Sequence, residues 1–469
     1  MSPPTTRHAR FDGRIVMLGF GSIGQAVLPL LLRHIDMSSR QIEILKPSGD
    51  GLEAAREYGV AHTTVRLDRD NYRDVLAPRL RPGDFLLNLT VDISSKALIE
   101  LCLERDCLYV DSSTEYWPGG FDRSRPAAER TNCRLREEVL ALRRPGTSQP
   151  TTLVTLGANP GLVSFLLKQA LLDLAGNPAD KPVNAAGWAR LAQRLGVRVI
   201  HVAEHDTQVG KTPKRSGEFV NTWSIAGFIG EGLQPAELGW GSHERHFPPD
   251  AGRHEQGCRA AIYLQRPGAG TRVRSWTPLG GPYQGFLVTH AESISIADHL
   301  TVGDPGQPAY RPTVHYAYHP CDDAVLSLHE LAGREWRKQD KQRLLRDDIT
   351  AGRDELGVLL MGHARGAYWY GSQLSVEEAR QLCPYNNATS LQVAAPIMAG
   401  MAWAMKHPQQ GILEPDDLPY DEMLPMILPY LGTVTGVYSD WTPLAGRESL
   451  FDEDLDRDDP WQFINFRVS

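Results

Sequence analysis

At 469 residues the chain exceeds one ordinary hydrophobic core, so two or three domains are expected. A hydrophobic share of 41%, a charged share of 23% and a mean hydropathy of −0.33 describe a soluble globular protein, and no apolar run approaches the roughly 20 residues needed to span a bilayer. Net charge −8 and a pI near 6.0 argue against nucleic acid, whose binding rests on clustered cations, and are compatible with a cationic small substrate.

The N-terminus, Met1-Ser-Pro-Pro-Thr-Thr-Arg-His-Ala-Arg10, lacks the apolar core of a signal peptide. The chain then enters a short apolar run, Ile15–Leu18, that feeds into Gly19-x-Gly21-x-x-Gly24 and an amphipathic segment, Gln25–His34. A dinucleotide-binding strand–turn–helix requires this order. Gly19 permits the tight turn, Gly21 lets backbone approach a pyrophosphate, Gly24 lets helix and strand pack, and the helix N-terminus offers N–H groups to phosphates. The bland alternative is a structural glycine turn.

Residues 14 to about 157 alternate strand and helix, the pattern of a Rossmann-type, doubly wound parallel sheet in an α/β protein. Expected strands are Ile15–Leu18, Gln41–Leu45, Thr63–Leu67, Phe85–Leu89, Leu108–Val110 and Thr152–Leu156, with helices such as Tyr72–Leu80 and Ser95–Glu104 between them. Ligands bind outside the carboxyl ends of such strands. Those ends carry Asn88-Leu-Thr-Val-Asp92, Asp111-Ser-Ser-Thr-Glu115-Tyr-Trp117 and Gly157-Ala-Asn159-Pro-Gly161, the last opening the apolar helix Leu162–Leu174. The second strand ends in Lys46-Pro-Ser-Gly-Asp50, where an NAD site normally shows Asp or Glu. Lys46 suits a 2′-phosphate and Asp50 a displaced ribose contact, and both readings stand.

From about 158 to 380 short strands mix with Gly- and Pro-rich loops: Val197–Ala203, Ala260–Leu264, Gly285–His290, Val314–His319 and Leu356–Met361. A second, α+β domain with a mostly antiparallel sheet is expected for substrate binding and dimerisation. The apolar helix Ser390–Lys406, carrying Pro396, should return to pack on the nucleotide domain. The organisation read from these signals is 1–157 for the dinucleotide, completed by a helix near 388–408, then 158–385 for the substrate and 409–469 as a C-terminal extension. The extension's acidic tail, Phe451 to Asp459, reads as solvated.

Three middle-domain clusters carry candidate chemistry. Ala203-Glu204-His205-Asp206-Thr-Gln208 ends a strand. Trp223 precedes Glu231 by about two helical turns. Thr289-His290-Ala-Glu292-Ser293 closes a strand, which would put His290 and Glu292 on one face. Singly, each has a bland reading: a solvated Glu, a core Trp, a structural His–Glu hydrogen bond. The histidines at 243, 246, 254, 315 and 319 lack tight ligand spacing, so no metal is expected. Cys102, Cys107, Cys133, Cys258, Cys321 and Cys383 show no CxxC pairing and read as reduced thiols of a cytoplasmic protein. Lys211 and Lys214 could form a Schiff base only if desolvated.

GFGSIGQ (19–25), NLTVD (88–92), DSSTE (111–115), GANPGLVS (157–164), AEHDTQ (203–208), NTWS (221–224) with Glu231, and THAESIS (289–295) together resemble bacterial homospermidine synthase, within the wider saccharopine dehydrogenase-like fold. The resemblance implies an NAD-dependent homodimer that converts two putrescines to homospermidine and ammonia without net redox change; spermidine can also donate the aminobutyl group, releasing 1,3-diaminopropane. It implies catalytic roles for Trp223, Glu231, Glu204, Asn159 and His290, and polyamine binding by Asp92, Glu115 and Glu292. Cofactor contacts are implied for Gly19, Gly21, Ser22, Ile23, Gly24, Thr90, Asp111, Ser112, Asn159 and Pro160.

The chemistry of the residues runs the same way. A buried site for a diamine must supply carboxylates or bear the cost of unpaired ammonium charge. Hydride abstraction needs a neutral amine, hence a nearby base with a shifted pKa. The resulting iminium is a cation that an indole face stabilises without trapping it. Two competitors remain: a saccharopine- or carboxynorspermidine-type dehydrogenase, whose carboxylate substrates call for convergent Arg or Lys, and a non-catalytic NAD-binding protein.

Overall fold

The structure, a computed structural model, describes residues 5–122, 124–447 and 452–468; Met1–Pro4 of the N-terminal segment and Phe451 at the head of the acidic stretch lie outside them. A seven-stranded sheet runs in the order Ile412–Leu413, Thr152–Leu153, Leu108–Asp111, Phe85–Asn88, Ile15–Leu18, Ile42–Lys46, Ala61–Thr64, parallel throughout. Ile15–Leu18 is buried along its whole length because helices cover both faces, which is why its four residues are all apolar. The sixth expected strand stops at Leu153 instead of Leu156. Two residues later Thr155 turns to φ 56° and donates its N–H to the Asp111 carboxylate at 2.7 Å, which removes the chain from the ladder.

The seventh strand was not expected: Ile412–Leu413 comes from the C-terminal part of the chain and pairs with Thr152–Leu153. Helix Ala388–Lys406 does lie against the first helix, Ser22–His34, and Asn387 caps it by accepting the Ser390 N–H at 2.8 Å.

The second sheet has eleven strands. At its centre Val199–Asp206 pairs in parallel with Thr313–His319 and antiparallel with Arg353–His363; its other pairings are antiparallel. The register sets Tyr318 and Leu356 on either side of Glu204, and Asp354 opposite Asp206. Expected strand Gly285–His290 is instead Gly281–Phe286, and the chain then turns into helix Ala291–His299.

The acidic stretch is not a free solvated tail. Asp459 pairs with Arg198 at 2.5 Å and Asp456 with Arg245 at 2.5 Å, Phe463 and Phe466 are buried, and Arg467–Val468 adds to the second sheet beside Arg272–Thr277. Its charges meet fixed guanidinium partners, so its aromatic residues can reach the core. Among the described residues no helix is long and apolar enough to cross a membrane.

Candidate active site

The carboxyl ends of the parallel strands and the edge of the second sheet enclose a cavity of about 1060 Å³, counting its mouth. On the nucleotide side the three glycines play distinct parts. A Cβ on Gly19, at φ +83°, would stand 2.8 Å from the Leu89 carbonyl oxygen, and one on Gly24 would stand 2.9 Å from that of Gly19. A Cβ on Gly21 would meet nothing within 4 Å. The turn is therefore closed where backbone must pack and open where a ligand must approach. Gly21 caps the helix with no side-chain bond, and the first turn holds no acid, so free N–H groups face that opening. These residues fit a dinucleotide.

Of the expected cofactor contacts, Ile23, Thr90, Ser112, Asn159 and Pro160 line the cavity. Gly19, Gly21 and Gly24 lie beside it in the turn, and Ser22 lines an adjoining chamber. Asp111 does not reach it. Fully buried, it accepts the Thr155 N–H and the Tyr109 hydroxyl, the latter at 2.8 Å, and burial pushes its carboxyl up to about 7. Its part is to shape the loop. Lys46 donates to the Asp50 carbonyl, so this loop closes on itself.

Asn159 is delivered by a tight turn. A Cβ on Gly161, at φ +125°, would stand 2.0 Å from the Gly157 carbonyl oxygen, so glycine is obligatory there. Asn159 donates from Nδ2 to Glu204 at 3.0 Å, and the Tyr316 hydroxyl donates to the same carboxyl oxygen, Oε2, at 2.6 Å. Oε1 is left for the cavity. Burial raises Glu204 to about 8 against the pull of those two hydrogen bonds. Glu115 is likewise pushed up to about 8, by burial first and then by the charges of Glu231 and Asp92. Asp92 itself is exposed at φ 66° and is outside the cavity lining; only its charge reaches the site.

His290 is not on a strand; it is the N-cap of helix Ala291–His299. Its Nε2 meets Glu231 at 3.1 Å, and its Nδ1 lies 3.3 Å from Glu292, off the hydrogen-bond direction. Burial favours the neutral ring, but Glu292 and Glu231 overcome it and hold His290 protonated well above the usual range. Glu292 is fully buried behind His290 and does not line the cavity, so it acts on the site through the imidazole. Trp223 stands just before Ser224, the N-cap of helix Ile225–Leu233, with Glu231 on the same helix. Its Nε1 donates to the Tyr318 hydroxyl at 3.1 Å and its ring leans on Phe228 at 5.2 Å, which fixes the indole against the cavity.

Tyr316, Tyr318 and Glu237 were not singled out from the sequence. The two tyrosines alternate with His315, Ala317 and His319 along one expected strand, a period-two signal for which face they share. Glu237 had no such signal. Fully buried, it accepts the N–H groups of Asn132 at 2.6 Å and Cys133 at 3.3 Å, at the start of helix Asn132–Leu140, and the Thr289 hydroxyl at 3.0 Å. It thereby anchors two lining residues, Asn132 and Thr289, to one another.

The chain is similar to known proteins along nearly its whole length. Residues 15–154 match the saccharopine dehydrogenase NADP binding domain and 157–437 the saccharopine dehydrogenase C-terminal domain. A homospermidine synthase of Blastochloris viridis is 53% identical over 98% of this chain and 98% of its own. One from Mesorhizobium japonicum is 47% identical over 98% of this chain and 97% of its own. The crystal structure of the homospermidine synthase of Legionella pneumophila in complex with NAD superposes with a TM-score of 0.91 at 50% identity, covering 98% of each chain.

The raised pKa of Glu204 has a direct consequence for stability. Between the ordinary glutamate value near 4.3 and about 8 the folded protein holds a proton that the unfolded chain has released, so raising the pH across that window costs the folded state. Glu204→Gln has no such proton to lose. The stability of the variant relative to the parent should rise by about 1.4 kcal/mol per pH unit from roughly pH 5 to 8. Chemical denaturation at several pH values checks this, and a pH-independent difference would show that Glu204 is ordinary.

Proposed function

The chain belongs to the homospermidine synthases, on the saccharopine dehydrogenase pair of domains, and from that premise we propose that its cavity joins two putrescines into homospermidine with release of ammonia. One observation carries the substrate class: among the described residues, the charged side chains lining the cavity are Glu115, Glu204, Glu231 and His290, with no Arg or Lys. Carboxylate-bearing substrates of a saccharopine-type dehydrogenase would lack a cationic partner there, whereas a diammonium chain finds acids at both ends. We take the cofactor to be NAD: the Legionella relative is in complex with it, and Lys46 is engaged by its own loop.

Glu115 and Glu231 suit the distal ammonium, because an arriving cation lowers the pKa of Glu115, which burial and then the charge of Glu231 have raised. The incoming ammonium groups displace the proton that Glu204 holds in the empty site, and its cavity-facing Oε1 then takes the proton from the reacting amine, as a carboxyl far more basic than an ordinary glutamate. Asn159 and Tyr316 hold that carboxyl in place. NAD, when bound, supplies reversible hydride chemistry, so that the electrons taken from the amine-bearing carbon return to the new C=N bond. The second diamine, through a neutral amine, adds to the iminium carbon as the C=N π pair moves to the old nitrogen; a proton passes from the attacking to the old nitrogen, ammonia leaves, and a new C=N bond remains to be reduced. Trp223 faces this cation with a π surface held by Tyr318 and Phe228, offering stabilisation without a nucleophile. His290, already protonated between its two acids, stays a fixed charge beside Glu231. We assign spermidine as a second donor, and a homodimer in the cytoplasm as the working form; the six unpaired cysteines support a reducing compartment.

Incubation with putrescine and NAD should yield homospermidine and ammonia with no net change in absorbance at 340 nm, and a net change proportional to product would transfer the enzyme to the dehydrogenases. Trp223→Ala should lower kcat about 2- to 30-fold, the equivalent of roughly 0.5–2 kcal/mol, while NAD affinity stays at the parent level. Equal loss of both would mark a folding defect. Light scattering of the purified protein should give twice the chain mass of 52.0 kDa, and a monomer would remove the dimer from the proposal.

A further inference from the structure

A second chamber opens beside the glycine turn, between the first helix of the nucleotide domain and the substrate domain. Ser22, Gln25 and Glu53 line one wall and Arg346, Tyr385 and Asn387 the other. Arg346 sits in the loop between strands Lys341–Leu344 and Ile349–Ala351. That loop is held firmly: the Arg346 N–H donates to Asp348 at 2.9 Å and its carbonyl accepts from Arg380 at 2.9 Å. The guanidinium reaches across to the nucleotide domain, where Nη1 donates to Gln25 Oε1 at 3.0 Å. Gln25 in turn donates to the Phe20 carbonyl within the glycine turn at 3.3 Å. Among the described residues no carboxylate forms an ion pair with Arg346, and its remaining N–H groups have no protein acceptor. Asp347 and Glu53 act on it only through longer-range charge, too weakly to offset its burial. Lys46 lies close enough to oppose its charge: burial first and then Arg346 lower the lysine's pKa.

A half-buried guanidinium repelled by a neighbouring lysine and left without a paired counter-anion is costly unless an anion visits. It stands next to Ser22, at the open N-terminus of the helix built to take phosphates. We infer that Arg346 is a cross-domain latch: it binds the diphosphate of the seated dinucleotide from the substrate-domain side. The inference rests on the cofactor assignment above and adds a consequence. With one phosphate-binding wall on each domain, the dinucleotide leaves only when the domains part, which suits an enzyme that must reuse the same bound cofactor within one turnover.

Equilibrium binding to cofactor-stripped full-length protein tests the latch with NAD, ADP-ribose and adenosine as probes. Arg346→Ala should raise Kd for NAD and for ADP-ribose about tenfold, leave adenosine binding unchanged, and leave the melting temperature of the nucleotide-free protein unchanged. Arg346→Lys, which keeps the charge but loses the planar fork, should show the same pattern at smaller amplitude and covers the case in which the alanine variant fails to fold. Unchanged NAD affinity in both variants overturns the latch. Equal weakening of all three probes overturns it too, because Arg346 would then only be holding the chamber walls. Failure of the parent protein itself to bind NAD would instead overturn the cofactor assignment.

Discussion

An excess of buried carboxyl groups over fixed cations governs this molecule. Glu115, Glu204 and Glu231 converge on one cavity, with Glu292 sealed behind it, and His290 is the single cationic group in the lining among the described residues. Two carboxylates flank one imidazole, which leaves net negative character in the site. Glu115 and Glu204 answer that imbalance by holding protons, at about 8 each. The site is therefore a set of acids suited to receive cations, and a diammonium substrate relieves a cost that folding imposed.

Such a site needs a frame that prevents the acids from turning to solvent. The second sheet provides it. In-register pairing of Val199–Asp206 with Thr313–His319 and Arg353–His363 fixes Glu204 between Tyr318 and Leu356, so its backbone cannot shift without breaking two ladders. Tyr318 also receives the Trp223 indole N–H, and Tyr316 donates to Glu204. The acid and the aromatic face are thus positioned by neighbouring residues of one strand. Glu237 does the corresponding job at the junction, where a single buried carboxylate receives a helix N-terminus and the Thr289 hydroxyl.

The nucleotide half contributes openness where the substrate half contributes rigidity. Crowding at Gly19, Gly24 and Gly161 draws backbone elements together, and the vacant space at Gly21 is where a ligand can approach the main chain. Ile412–Leu413 joins the parallel sheet and helix Ala388–Lys406 packs on its first helix, so the later part of the chain returns to the nucleotide half.

The amino-acid sequence by itself determined the elements whose physics is local. The apolar run into three spaced glycines gave strand, turn and helix; helix Leu162–Leu174 was legible to the residue; the segments holding Asn159, Glu204, Trp223, Glu231 and His290 were all marked as candidates. Tertiary structure alone decided which candidates face the cavity. Asp111, Asp92 and Glu292 share the chemistry of Glu204 and Glu115, yet one is locked beneath a loop, one is exposed and one sits behind a histidine. Periodicity tells which residues share a face, but the layer packed against that face decides whether it meets ligand, core or water. A two-residue strand such as Ile412–Leu413 has no period to read, and Asp456 and Asp459 of the acidic stretch found guanidinium partners more than two hundred residues away. Long-range pairing of this kind is written in the folded arrangement, where charge and neighbour first come together.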